Sequence, residues 1–327
     1  MAGLKMKSGN FGESTLPRRR LLSGFLLFFL SVAVITFCGL PAAIAEQGEE
    51  QQDVSKEEIE KYQEIKKAAK KVRVEEAVEE DKTGTDPRAF TNKWMPYYRY
   101  TELDNGLIQQ DVTMFGTVRF GPRMGMFFEL PVAQYRDFSD VPGFPPDADS
   151  DAIGLGDADL KFLMRPGPLE FNYGKEGKMS ASVLLGTDFL LPTATDDALG
   201  GNAFLFAPIV GLVFDMPFHG FIAMLNLYYF DVYKEASAPE TSAFVGKWFY
   251  MQPLTPPGAW WGGFFLLPEF QPIYNFETED FSSWFGLELG KMLAPGRILY
   301  VKPGWGIDNS EPTDRKVTFE AGVRWFF

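Results

Sequence analysis

The chain is poor in the residues that most enzyme and metal chemistry uses. Of its 327 residues, one is cysteine (Cys38) and one is histidine (His219). Cys38 sits near the start, so the remainder has no disulfide and no thiolate chemistry. Base is scarce relative to acid: 31 Lys and Arg stand against 44 Asp and Glu, for a net charge of -13. Such a chain would repel the phosphates of a nucleic acid, and no nucleic-acid partner is expected. Beyond the first 45 residues no long apolar run remains of the kind that a spanning helix needs.

What is abundant is large and apolar, or small and flexible: 32 Phe, 32 Gly and 16% aromatics in all. The one long apolar run, Leu21 to Leu40, follows Arg18, Arg19 and Arg20 and precedes Ala43-Ile44-Ala45. A basic start, an apolar middle and small-x-small residues make a secretory signal peptide over 1–45. An uncleaved anchor is the alternative; Pro41 and the small residues after it favour cleavage. Removal takes away Lys5, Lys7, the three arginines and Glu13, so the net charge moves from -13 to -17.

Residues 46–82 are dense in helix formers, with Glu57, Glu58 and Glu60 early and Lys66, Lys67, Lys70 and Lys71 late. Ile59, Tyr62, Ile65, Ala69 and Val72 recur at three- and four-residue steps and draw a narrow apolar stripe. This predicts a charged periplasmic helix. Self-association or docking on a periplasmic partner through 54–74 is one use for it, and a solvated spacer is the other. A linker, 83–93, then leads into the rest of the chain.

From residue 94 the period changes to two. Val317, Phe319, Ala321, Val323, Trp325 and Phe327 alternate with Lys316, Thr318, Glu320, Gly322, Arg324 and Phe326. The stretches around Val112–Phe120, Ala158–Met164 and Met179–Phe189 alternate in the same way. Twelve such segments can be drawn, at about 97–103, 109–121, 124–135, 154–165, 178–192, 203–214, 218–232, 242–252, 259–274, 280–293, 297–307 and 316–327. Most are long enough for the roughly 9–11 residues of a tilted membrane strand, and exceed the roughly 5–6 of a globular one. An even number returns the chain to the side on which it started.

The connections sort by charge. Alternate ones are short or Pro-bearing, as at 121–123, 166–177, 215–218, 253–258 and 294–296. The others gather sixteen acids, from Asp104 to Asp314, against Arg136, Lys234 and Arg315. A soluble sandwich has no reason to sort acids by alternate loops, whereas a membrane barrel with two different rims does. The expected fold is therefore all-β: an antiparallel up-and-down transmembrane β-barrel of about twelve strands over 94–327, preceded by the short helix. Its expected location is a bacterial outer membrane, with lipid as its surroundings, short turns in the periplasm and acidic loops outside. Trp325 and the terminal Phe327 then lie at the periplasmic interface. They resemble the C-terminal signal read by the barrel-assembly machinery.

Strand phase assigns an inward set: Arg99, Arg119, Glu129, Lys161, Arg165, Asp188, Lys247, Glu269, Glu288, Lys302, Glu320 and Arg324. Seven bases and five acids of mixed sign need partners in a low-dielectric interior, so cross-lumen pairing is expected. Either the set lines a polar path or it fills a narrow barrel. Twelve strands lie between filled eight-stranded barrels and open sixteen-stranded porins.

Gly154, Gly156, Asp157, Leu160 and Lys161 form a Gly-x-Gly-Asp entering an alternating strand. With "DFLLPTATDDALGGNAFLFAPIVGLVF" and the closing "EAGVRWFF", residues 150–327 resemble the outer-membrane channel family named for the meta-pathway of phenol degradation. The resemblance implies a channel for small aromatic or hydrophobic compounds. The charged helix departs from the family's pattern.

Three other motifs carry little. Gly154-Leu155-Gly156 is followed by a strand, not by the helix of a nucleotide loop. "DADSD" at 147–151 opens like a calcium loop but has Ala152 and Ala158 where Gly and Glu are required, so no metal is expected. His219, as the base of a barrel lipase, sits in a Pro-bearing turn without a nearby Ser. No enzymatic activity and no cofactor are expected. Two functions from different classes remain: a passive channel for small solutes, taken up or expelled, and a closed structural barrel that anchors the envelope or a periplasmic partner through its helix.

Overall fold

The computed structural model describes residues 85–142, 150–173, 179–216, 220–235, 240–255, 262–294, 296–308 and 314–327. The expected signal peptide and the 46–82 helix lie outside the described residues, as do His219 and Asp147–Asp149.

Fourteen strands follow one another: β1 (Lys93–Leu103), β2 (Ile108–Gly121), β3 (Met124–Asp137), β4 (Asp151–Gly154), β5 (Ala158–Met164), β6 (Glu170–Tyr173), β7 (Met179–Leu191), β8 (Ala203–Met216), β9 (Gly220–Lys234), β10 (Ser242–Pro253), β11 (Phe264–Asn275), β12 (Phe281–Ala294), β13 (Arg297–Asp308) and β14 (Arg315–Phe326). Each long strand pairs antiparallel with its neighbours, and β1 pairs with both β2 and β14, which closes the ring. β4, β5 and β6 share one position in that ring. β4 and β5 pair in succession with β3, and β5 and β6 pair with β7. The barrel is therefore twelve-stranded, as the alternation predicts, with its fourth stave broken in two places. One break falls at Leu155–Asp157, and the other at the 3-10 turn Gly167–Leu169.

Closure pairs every long strand on both sides and leaves only the short β4 and β6 paired on one, which is what allows strands to stand in lipid. Burial follows the two-residue period. On β2, Asp111, Thr113 and Thr117 are buried while Val112, Val118 and Phe120 are exposed. On β14, Thr318 and Arg324 are buried while Val317, Phe319 and Trp325 are exposed. The outer face is apolar over most of its height. Phe162, Phe189, Phe206 and Phe230 touch in sequence along it, with ring centroids 5.2–6.1 Å apart. Phe230, Tyr233, Phe281 and Trp305 stand near the loop end, and Phe120, Trp325 and Phe327 near the turn end. Aromatic side chains at both ends of an apolar band mark the two membrane interfaces. The fold is that of an outer-membrane barrel. Its short turns and its C-terminus share one end, which is the periplasmic end of such barrels.

One irregularity redirects side chains. Glu102 is opposite Val317 but Leu103 is opposite Arg315, so Lys316 has no partner across the pair. This bulge sends Lys316 outward to Glu102, at 2.6 Å, and turns Arg315 into the bore. Strict alternation through Lys316 gives the reverse.

Candidate functional site

The bore holds a cavity of about 460 Å³ whose two sides differ. On β8, β9 and β10 the inward positions are Ile209, Leu225, Leu227, Val245 and Phe249, with Tyr229 and Lys247 the polar exceptions. β8 explains why. Ala203–Phe214 contains no charged or hydrogen-bonding side chain, so it faces lipid on one side and the bore on the other without changing character. Gly211 keeps this wall smooth: a Cβ there would lie 2.5 Å from Leu225, which folds over it.

The remaining arc, from β11 through β14 and β1 to β5, is ionic. Arg99 reaches Asp111 and Glu129 at 3.4 Å each and Glu320 at 3.9 Å. The Tyr97 hydroxyl donates to Glu129, and that of Tyr300 donates to Glu320 at 2.9 Å. Lys302 holds Glu269 at 2.5 Å, and the Gln271 amide donates to the same carboxylate. Arg315 donates to Gln271 at 3.2 Å and lies over the Trp284 ring. Arg324 bonds Glu288 at 2.7 Å and lies 4.4 Å from the Tyr300 ring centroid. Lys161 pairs with Asp159 and, at 3.1 Å, with Asp188, which also accepts from Tyr229. Buried charge is tolerated here because each carboxylate has a cation or donor in reach.

Of the twelve residues that strand phase places inward, nine line this cavity: Arg99, Glu129, Lys161, Lys247, Glu269, Glu288, Lys302, Glu320 and Arg324. Asp188 is buried behind Lys161. Arg165 is buried below the cavity, 3.0 Å from Glu170. Arg119 is exposed at the periplasmic end of β2. Phase alone did not single out Tyr97, Tyr229, Tyr300 and Arg315. The three tyrosines carry the parity of Arg99, Leu227 and Lys302, which is the signal that could have found them. Of the two C-terminal residues, Trp325 pairs opposite Arg297 and Phe327 is 82% exposed.

The Gly-x-Gly-Asp turn is a latch on the outer rim. Asp157 accepts from the backbone N–H of Thr193 and Ala194 at 3.0 Å and of Gly201 at 2.7 Å. It thereby ties the loop after β7 to the break in the fourth stave. A Cβ on Gly154 would lie 2.1 Å from Thr195 Oγ1, and one on Gly156 2.5 Å from Gln134 Oε1. Glycine is needed at both because the loop and β3 press against the turn.

The floor of the cavity is the chain itself. Residues 85–92, most of the expected linker, cross the periplasmic end of the bore, with Thr85 and Pro87 among the cavity's lining. Arg88 and Phe90 are both buried.

No protein-family model matches the chain, and no curated protein matches its sequence. Among solved structures, an outer-membrane channel from Pseudomonas putida F1 is similar, with a TM-score of 0.55 at 12% identity. That match covers 74% of this chain and 100% of the other. A KdgM porin in complex with disordered oligogalacturonate matches with a TM-score of 0.39 at 11% identity, over 71% of this chain and 99% of its own. Outer membrane phospholipase A from Escherichia coli matches at 0.38 and 11%, over 72% and 92%. The first shows a shared fold, and the other two are too distant to carry an argument.

Proposed function

We propose that the chain is a passive outer-membrane channel, not an enzyme, for small solutes that combine an apolar body with a polar or charged group. The observation behind this reading is the two-sided cavity. Its volume lies within the roughly 300–1,000 Å³ of small-molecule sites, and its apolar and ionic walls face each other across one bore. An apolar body slides along Leu225, Leu227 and Phe249 while its polar group exchanges partners along the ionic arc. Lys247, which has no ion pair among the described residues, is the foothold on the apolar side. The resemblance to the channel family of the phenol meta-pathway supports small aromatic compounds as the solutes.

The test is flux into liposomes containing the purified protein. A small aromatic acid or alcohol is expected to pass faster than a sugar of equal size. Equal flux of both would reject the two-sided selectivity. No flux of either would favour the second reading, a closed barrel that anchors a periplasmic partner through residues 54–74. That reading has its own support in the ion pairs across the bore and its occupied floor. Trp325 and Phe327 serve assembly on either reading. Deleting Phe327 should lower outer-membrane levels by removing both the assembly signal and an interfacial anchor, and normal levels on a heat-modifiability gel would refute this.

A further inference from the structure

We propose that residues 85–92 are a built-in strap that shuts the periplasmic mouth of the bore, and that solutes pass only when it leaves its seat. The proposal rests on the channel reading and adds how that channel is closed.

The strap is anchored on opposite walls. At one end, Asn92 accepts from Phe327 N–H at 3.1 Å and, through Oδ1, from Arg119 N–H at 2.8 Å, on β2 and at the end of β14. At the other, Arg88 pairs with Asp215 of β8 at 2.6 Å and donates to Ser180 of β7 at 3.1 Å. Around the twelve-stave ring, β8 stands five places from β1, so the strap spans close to a full diameter. Between the anchors, Phe90 has no exposed surface and sits among Leu163, Ala207, Ile209 and Leu227, residues of the inner wall. The wall is cut to receive it: a Cβ on Gly125 would lie 2.8 Å from the Phe90 ring.

The same contacts make the strap removable. Its inner anchor is an ion pair at the end of the bore, and Asp215 and Asp86 share the one guanidinium. Asp86-Pro87-Arg88-Ala89 is a turn closed by Ala89 N–H on Asp86 C=O at 3.2 Å, so the strap is a preformed unit that can lift without unzipping a strand. No barrel pairing includes residues 85–92, and the ring of strands closes without them.

The experiment compares single-channel conductance in planar bilayers for the full chain, Arg88→Ala, Phe90→Ala and Gly125→Ala. The first two variants weaken the strap from its own side, and the third crowds its seat from the wall. All three are expected to conduct several-fold more, or to stay open several-fold longer, than the full chain. Heat-modifiable mobility on gels confirms that each barrel is closed, and a fold defect alone would not raise conductance in all three. Conductance equal to that of a conducting full chain would overturn the strap and leave the channel standing. Silence of the full chain and of every folded variant would overturn both.

Discussion

The two walls of the bore solve the same problem in opposite ways. β8, β9 and β10 present Ile209, Leu225, Leu227 and Phe249, which need no partners. The arc from β11 to β5 presents acids and bases, each carboxylate held by a cation or a hydroxyl. The first wall is stable by itself; the second is stable only as a network. Dispersed apolar side chains are forgiving, whereas a buried pair punishes the loss of either partner more than the loss of both. That contrast teaches where the barrel is brittle.

The sharpest break is therefore expected at the most deeply buried pair, Arg324 and Glu288, whose side chains are 6% and 4% exposed. Arg324→Met should cost about 3–5 kcal/mol by stranding the Glu288 carboxylate. The double variant Arg324→Met with Glu288→Leu should recover most of that loss. Urea midpoints for folding into lipid vesicles measure both, and a double variant as weak as the single would show the wall is not a network.

The next effect tests which side is inside. Val301 lies on the outer face of the ionic wall, beside inward-facing Lys302 on the same strand. Val301→Arg should cost about 2–4 kcal/mol near the bilayer midplane, since a lipid-facing charge has no partner there. A harmless outcome would exchange inside and outside for the whole barrel.

On the apolar wall the same kind of insult should be milder. Leu225 packs over Gly211 but also faces the open cavity. Leu225→Ala should cost about 2 kcal/mol, the low end for a core leucine, because part of the removed volume was already void. It should also let bulkier aromatic solutes through in the liposome assay. A cost as large as that of Arg324→Met would mean that the two walls do not differ in kind.

Much of this was legible in the sequence because one physical rule, the two-residue period, governs both faces of a membrane strand. It predicts twelve staves, and it places nine of the twelve inward charges on the cavity. What it could not give follows from where parity fails or is silent. Arg315 escapes because the bulge at Lys316 shifts parity by one at the loop end of β14. The apolar wall escapes because Ala203–Phe214 of β8 holds no polar side chain to set a phase. The strap escapes because Asp86, Pro87, Arg88 and Asn92 have the composition of a linker, and a single Phe90 among them carries no period.

The smallest effect on stability is expected at Glu320, and there function should move instead. Its carboxylate accepts from Tyr300 at 2.9 Å, while Arg99 stands off at 3.9 Å. Gln keeps an acceptor oxygen for the tyrosine, and Arg99 keeps Asp111 and Glu129, so Glu320→Gln strands no partner and should cost under about 1 kcal/mol. It nevertheless removes one negative charge from the bore, where low dielectric makes each charge act strongly on a passing ion. The reversal potential in a salt gradient should shift toward anions. A shift toward cations would mean that Glu320 does not face the path, and an unchanged potential in an open channel would mean that ions pass along the apolar wall alone.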